Sequence, residues 1–138
     1  MSLELRPIRA DEMHAYGDQI SLVFSGSRAS SEWIESLHEL VELDRTLAWF
    51  EGGGVVASAG VCSFRMTVPG GGRLGCAGLT RVTVLPTHRR QGLLTGMMRA
   101  HLDDAHSRGE PLAALYASET VIYGRYGYGI GTVHANLG

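Results

Sequence analysis

The chain has 138 residues, 44% hydrophobic and 19% charged, with a formal net charge of −2. That is the length of one domain with a proper core, and the near-neutral, slightly acidic balance argues against a nucleic-acid binder, which needs a basic face. No apolar run approaches the roughly 20 residues that cross a bilayer, and the start, "MSLELRPIR", carries an acid and no apolar signal core, so the expected setting is cytoplasmic with no membrane partner.

"LELRPIR" alternates as a first strand. "DEMHAYGDQISLVF" spaces Met13, Tyr16, Ile20, Val23 and Phe24 along one helical face, with acids in its first turn. "SSEWIESLHELVEL" opens at a serine cap and repeats Trp33, Ile34, Leu37, Leu40 and Val41 at helical spacing, with Glu35, Glu39 and Glu42 off that face. Three strands follow, near 46–51, 54–67 and 76–84, joined by the glycine turns "EGGG" and "VPGGG". Pro86 ends the third. "GLLTGMMRAHLDDAHSR" reads as a helix with Leu94, Met98, Leu102 and Ala105 on one face, stopped by Gly109 and Pro111. "PLAALYAS" is a short buried strand, a helical turn comes near 119–125, and "GTVHANL" is a last strand. The one strand–helix–strand crossover, "LTRVTVLP…GLLTGMM…PLAALYAS", requires its two strands to be parallel, with a right-handed connection.

Charge is unevenly spread. All twelve basic residues are arginine, which excludes a Walker P-loop and a Schiff-base lysine. Residues 1–51 carry ten acids and four arginines, whereas 52–102 carry six arginines and no acid. An acid-free middle suits a bound anion, or it is simply buried strand. The stretch "VTVLPTHRRQGLL" favours the anion. A strand ends, Arg89 and Arg90 follow, and a helix opens at Gly92. Helix starts leave backbone N–H groups unpaired and partially positive, and glycine lets a ligand approach them. The pattern is a pyrophosphate cradle, not the dinucleotide fingerprint.

Other chemistries find less support. Cys62 and Cys76 lack metal-ligand spacing and read as free thiols, with no disulfide across the hairpin expected in a reducing compartment. His101 and His106, five residues apart on one helix, point about 140° from each other, so surface or capping roles are expected and no metal site. "GRYGYG" partly matches the RNP1 pattern of RNA-binding domains but lacks its second glycine, valine and final aromatic.

"RRQGLL" resembles the R/Q-x-x-G-x-G/A acetyl-CoA signature of the GNAT superfamily of N-acetyltransferases, with Leu94 where the family has Gly or Ala. Together with "PLAALYASE" and "IYGRYGYG" it is similar to the N-terminal acetyltransferase domain of the Eis (enhanced intracellular survival) family, closely over about residues 78–132 and loosely before that. The resemblance implies an α/β (α+β) GNAT fold, a mixed, mostly antiparallel sheet flanked by helices. It implies acetyl transfer from acetyl-CoA to a primary amine, aminoglycoside-like or lysine-like; the alternative is a non-catalytic acyl-CoA-binding or assembly domain of the same fold. By the same resemblance the Val82 and Val84 backbone lies along the pantetheine arm, Arg89, Arg90, Gly92, Leu93 and Leu94 form the pyrophosphate loop, Ser118 lies near the thioester, and Tyr123 is the general acid. Val82 and Val84 read equally as core, and Ser118 as a helix cap. The family's general base is the carboxylate ending a longer, multi-domain chain. Glu119 is the nearest local acid. The chain stops in or just after what should be the penultimate strand, so it reads as a fragment whose full-length form forms homo-oligomers.

Overall fold

The computed structural model describes residues 2–117 and 120–131; Ser118, Glu119 and all but the first residue of the expected last strand, "GTVHANL", lie outside them. Its elements are β1 (Leu3–Arg6), α1 (Met13–Ser25), α2 (Ser31–Leu40), β2 (Thr46–Glu51), β3 (Gly54–Thr67), β4 (Arg73–Val84), α3 (Leu93–Ser107), β5 (Leu112–Leu115) and α4 (Thr120–Gly124). The strands form one sheet in the order β1-β2-β3-β4-β5. The first four are antiparallel in turn, and β5 lies parallel to β4, as the crossover requires.

The sheet is buried on both faces. Along β2, Ala48 and Phe50 point into a core with Met13, Tyr16, Ile20, Ile34 and Leu37 of α1 and α2. The alternating Leu47 and Trp49 pack instead with Met97, Met98 and Ala105 of α3. Val55 to Val61 of β3 are all buried, which explains why that strand reads as an apolar run without alternation. Its outer half, beyond Cys62, pairs with Arg73–Gly78 as a more exposed arm closed by a turn through Gly70 and Gly71, both at positive φ.

Several boundaries differ from expectation. The first strand stops at Arg6 because Pro7 cannot extend it; Ile8 instead donates its N–H to Thr46 Oγ1 at 2.9 Å. The second helix ends at Leu40 rather than Leu43, since the Glu42 carboxylate takes both the N–H (2.6 Å) and the hydroxyl (2.7 Å) of Ser63, drawing the chain off its helical path. The β4 strand begins at Arg73, three residues early, because the tight turn lets Thr67 pair directly with it. The two thiols are free and do not face each other: Cys62 lies opposite Gly78, and Cys76 opposite Phe64.

At the sheet's outer edge, Arg6 grips Glu12 with two 2.8 Å bonds and stacks 3.9 Å over the Phe50 ring. The Arg6 guanidinium holds the Glu12 carboxyl at about 2, against an ordinary 4.5. A lowered folded-state value means that this stability is present above pH 4.5 and lost as pH falls towards 2. Thermal melts of wild type should therefore weaken through that window, and Glu12→Gln should flatten this part of the curve.

Candidate active site

The crossover opens a cleft. Strand β5 pairs with β4 only from Cys76–Leu112 to Leu79–Leu115, while β4 runs on to Val84. Beyond Leu79 its outer edge has no strand beside it among the described residues. Leu85 donates its N–H to Val56 O at 2.9 Å, so Thr83 and Leu85 face β3. By alternation the peptide groups of Val82 and Val84 turn to the open edge. Both side chains are half-buried against the α3 core, so the strand is at once core and open edge. A free edge of this kind pairs with any extended ligand carrying amides.

A β-bulge shapes this end of the strand. Ser58 lies opposite Thr83 but Gly60 opposite Thr80, so Arg81 and Val82 together face Ala59. Arg81 has a φ of 53°, a strained value for a residue with a side chain. Its carbonyl lies 2.8 Å from Ser58 Oγ, which lies 2.6 Å from Thr83 Oγ1, itself 2.7 Å from the Gln19 side-chain amide on α1. Thr83 donates to Gln19 Oε1 and Ser58 to Arg81 O, so the two hydroxyls tie α1 to the bulge from either side.

After β4, a 3-10 turn at Pro86–His88 leads into α3. His88 Nε2 lies 3.1 Å from Glu51 of β2, anchoring the turn. Arg89 and Arg90 are exposed, with Arg90 at φ 63° and Gly92 at φ 76°. No side chain caps the helix start. Gly96 N–H bonds to Gly92 O at 3.0 Å, leaving the N–H groups of Leu93, Leu94 and Thr95 without intrahelical carbonyls. A Cβ built on Gly92 would meet nothing within 4 Å, so the approach is open. The Leu93 side chain is only 3% exposed and packs in the core, so its share in any cradle is the backbone N–H. Leu94 is half-buried against the same core.

Trp49, unnoticed in the sequence, fixes this first turn. Its indole donates to Leu93 O at 2.9 Å, and its ring lies so close under Gly96 that a Cβ there would come within 2.7 Å of Cζ2. An uncapped helix start with two neighbouring arginines, beside an open strand edge, fits a pyrophosphate joined to an amide-bearing arm.

The tyrosines border the same region. Tyr123 on α4 packs against the α3 core, with Tyr128 edge-on at 6.2 Å. Tyr123 O accepts from the N–H groups of Tyr126 (3.0 Å) and Tyr128 (3.3 Å), and Gly127 at φ 94° makes the turn. The other two phenols are ties to α3: Tyr126 OH lies 2.9 Å from Thr95 Oγ1, and Tyr128 OH 2.8 Å from His101 Nε2. Arg125 is exposed.

The expected surface or capping role of His101 is thus wrong. It is 2% exposed, and burial lowers its pKa, favouring the neutral ring. Its partner sits 27 residues away, which no local pattern reveals. Burial likewise pushes the Tyr128 phenol up to about 12, so it stays protonated. Tyr128→Phe should cost about 1–3 kcal/mol by stranding His101 Nε2. In urea melts the added cost of His101→Leu on that background should be well below its cost alone.

No group of three or more His, Cys, Asp or Glu able to hold a metal occurs among the described residues. None of their helices is long and apolar enough to cross a membrane.

Comparison with known proteins agrees with this geometry. A family model described as an acetyltransferase (GNAT) domain matches residues 4–131. A Streptomyces avermitilis protein described as an uncharacterized N-acetyltransferase is 48% identical over 132 residues, covering 96% of this chain and 32% of its own. The N-acetyltransferase Eis of Mycobacterium tuberculosis is 43% identical over 117 residues, covering 79% of this chain and 27% of its own. Among solved structures, Eis1 from Mycobacterium abscessus superposes with a TM-score of 0.80 at 38% identity, covering 95% of this chain and 32% of that one. The chain thus spans about a third of the length of curated relatives such as the Streptomyces protein.

Proposed function

The chain belongs to the GNAT acetyltransferase family, and from that premise we propose that it transfers acetyl from acetyl-CoA to a primary amine, aminoglycoside-like or lysine-like. The observation that carries this reading is the parting of β4 from β5 beside the uncapped start of α3. On it, the N–H groups of Leu93, Leu94 and Thr95 receive the pyrophosphate, with Arg89 and Arg90 adding charge from the surface. The peptide edge at Val82 and Val84 holds the pantetheine arm and fixes the thioester beside the bulge.

The amine attacks the thioester carbonyl carbon; the new N–C bond forms, the C–S bond breaks, and the sulfur leaves as a thiolate. Tyr123 donates its hydroxyl proton, or a hydrogen bond, to that sulfur. A phenol near pKa 10 is a weaker acid than a thiol near 8.5, so the hydrogen bond contributes even where transfer is incomplete. The amine's proton goes to a carboxylate. The reading assigns this base to the far end of a longer chain, of which these residues are the acetyltransferase domain, in keeping with relatives about three times as long. Ser118 and Glu119, outside the described residues, remain in the proposal as a thioester neighbour and a local substitute base. The setting proposed is the cytoplasm, where acetyl-CoA is made, and the full-length chain is proposed to form homo-oligomers.

The test is release of CoA thiol from acetyl-CoA against a panel of amines. Release that depends on the amine supports the enzyme. Cofactor binding without turnover in the full-length protein supports the alternative, an acyl-CoA-binding domain. Turnover in the full-length protein but not in residues 1–138 assigns the base to the missing portion.

A further inference from the structure

Arg81 is part-buried, unlike the fully buried, ion-paired Arg45 and the other, more exposed arginines of the acid-free stretch. It stands at the bulge of β4, and its side chain turns to the α1 face, where Thr83, two residues on, meets Gln19. The guanidinium lies over Gly60, where a Cβ would come within 2.8 Å of Nη2 and 3.0 Å of the Tyr16 phenol oxygen. Nε and Nη2 are buried and find only the neutral Tyr16 phenol beside them, while the residue as a whole stays part-exposed. Tyr16 has already committed its own proton to Ala59 O, at 3.0 Å.

What this cation lacks is a counter-charge. Arg6, Arg9, Arg45 and Arg108 each meet carboxylates. Arg45, the most buried, has Glu110. Beside its guanidinium stand Gly60 and the Tyr16 phenol, both uncharged, and no described carboxylate pairs with it. Enclosing a guanidinium without an anion is costly, and arginine cannot escape by losing its proton. A strained backbone angle holds it there, one residue from the Val82 edge that borders the proposed thioester. Its planar fork matches one ligand group best, a carboxylate.

We propose that Arg81 binds a carboxylate of the acetyl acceptor, so that the substrate is a zwitterion carrying both a primary amine and a carboxylate. The proposal rests on the acetyl-transfer reading and narrows it to the lysine-like class; a polycationic aminoglycoside would meet an uncompensated positive charge at this point.

The experiment compares L-lysine with lysinamide and 1,5-diaminopentane, which keep the amine but lose the carboxylate. Full-length wild type should favour lysine in kcat/KM by about 10- to 100-fold, the range of a charge-assisted pair. Arg81→Met should bring the preference near one, chiefly by raising KM for lysine, with KM for acetyl-CoA unchanged. Arg81→Lys should restore part of it. Equal wild-type rates on lysine and lysinamide overturn the proposal without any variant. So does an Arg81→Met variant that slows all amines alike, because the anion then belongs to the protein itself. If no amine is acetylated, the transfer reading fails separately, and calorimetric binding of lysine against diaminopentane still decides the carboxylate site.

Discussion

Replacing Arg45 with leucine is expected to cost about 3–5 kcal/mol, the range for removing one partner of a buried ion pair. The Arg45 side chain is 0% exposed. It donates through Nη1 to Glu110 Oε2 and to Ser63 Oγ, each at 2.9 Å, and through Nη2 to Glu110 Oε1 at 2.6 Å. Its Nε faces Asp104 at 3.4 Å. The pair ties the start of β2 to the corner where α3 turns into β5, so it fixes the crossover that carries the cleft. Leucine would strand the Glu110 carboxylate, itself 12% exposed, without its main counterion. Since domains of this size are stable by about 5–15 kcal/mol, the loss is a large fraction of the whole. Urea unfolding should show it as a lower midpoint. Arg45→Leu with Glu110→Leu should recover much of the loss, because the desolvation cost leaves with both charges.

Tyr123→Phe is the second large effect. If the phenol serves the leaving sulfur, its removal should lower kcat by about 10²–10⁴-fold, the range for general acid catalysis, while CoA affinity stays nearly unchanged. The controls are its neighbours. Tyr126 and Tyr128 share the "YGRYGYG" stretch but are spent on Thr95 and His101. Their Phe variants should therefore register mainly as lost stability. A Tyr123→Phe enzyme with full kcat would remove the residue from the chemistry and return it to packing.

Much of the architecture was legible because the signals are local. The crossover could be read from a strand, a glycine-opened helix and a second apolar run, and the parallel pairing of β4 with β5 followed. The uncapped helix start was likewise written in Gly92, where the backbone does adopt a positive φ. What stayed hidden depends on register or on distant partners. The bulge at Arg81 and Val82 comes from a one-residue slip against β3, and nothing in "LTRVTV" marks it. His101 looked like a solvated helix residue until Tyr128 arrived from across the fold. Arg45 and Glu110 are 65 residues apart. Arg81 was one arginine among six in an acid-free stretch, and only its enclosure on the α1 face sets it apart.

The most direct test of the account is a crystal structure with CoA bound. It should show the pyrophosphate on the N–H groups of Leu93 to Thr95, the pantetheine arm paired along Val82 and Val84, and the sulfur within hydrogen-bonding distance of Tyr123 OH. A pyrophosphate bound away from the start of α3, or a sulfur that Tyr123 does not reach, would contradict it.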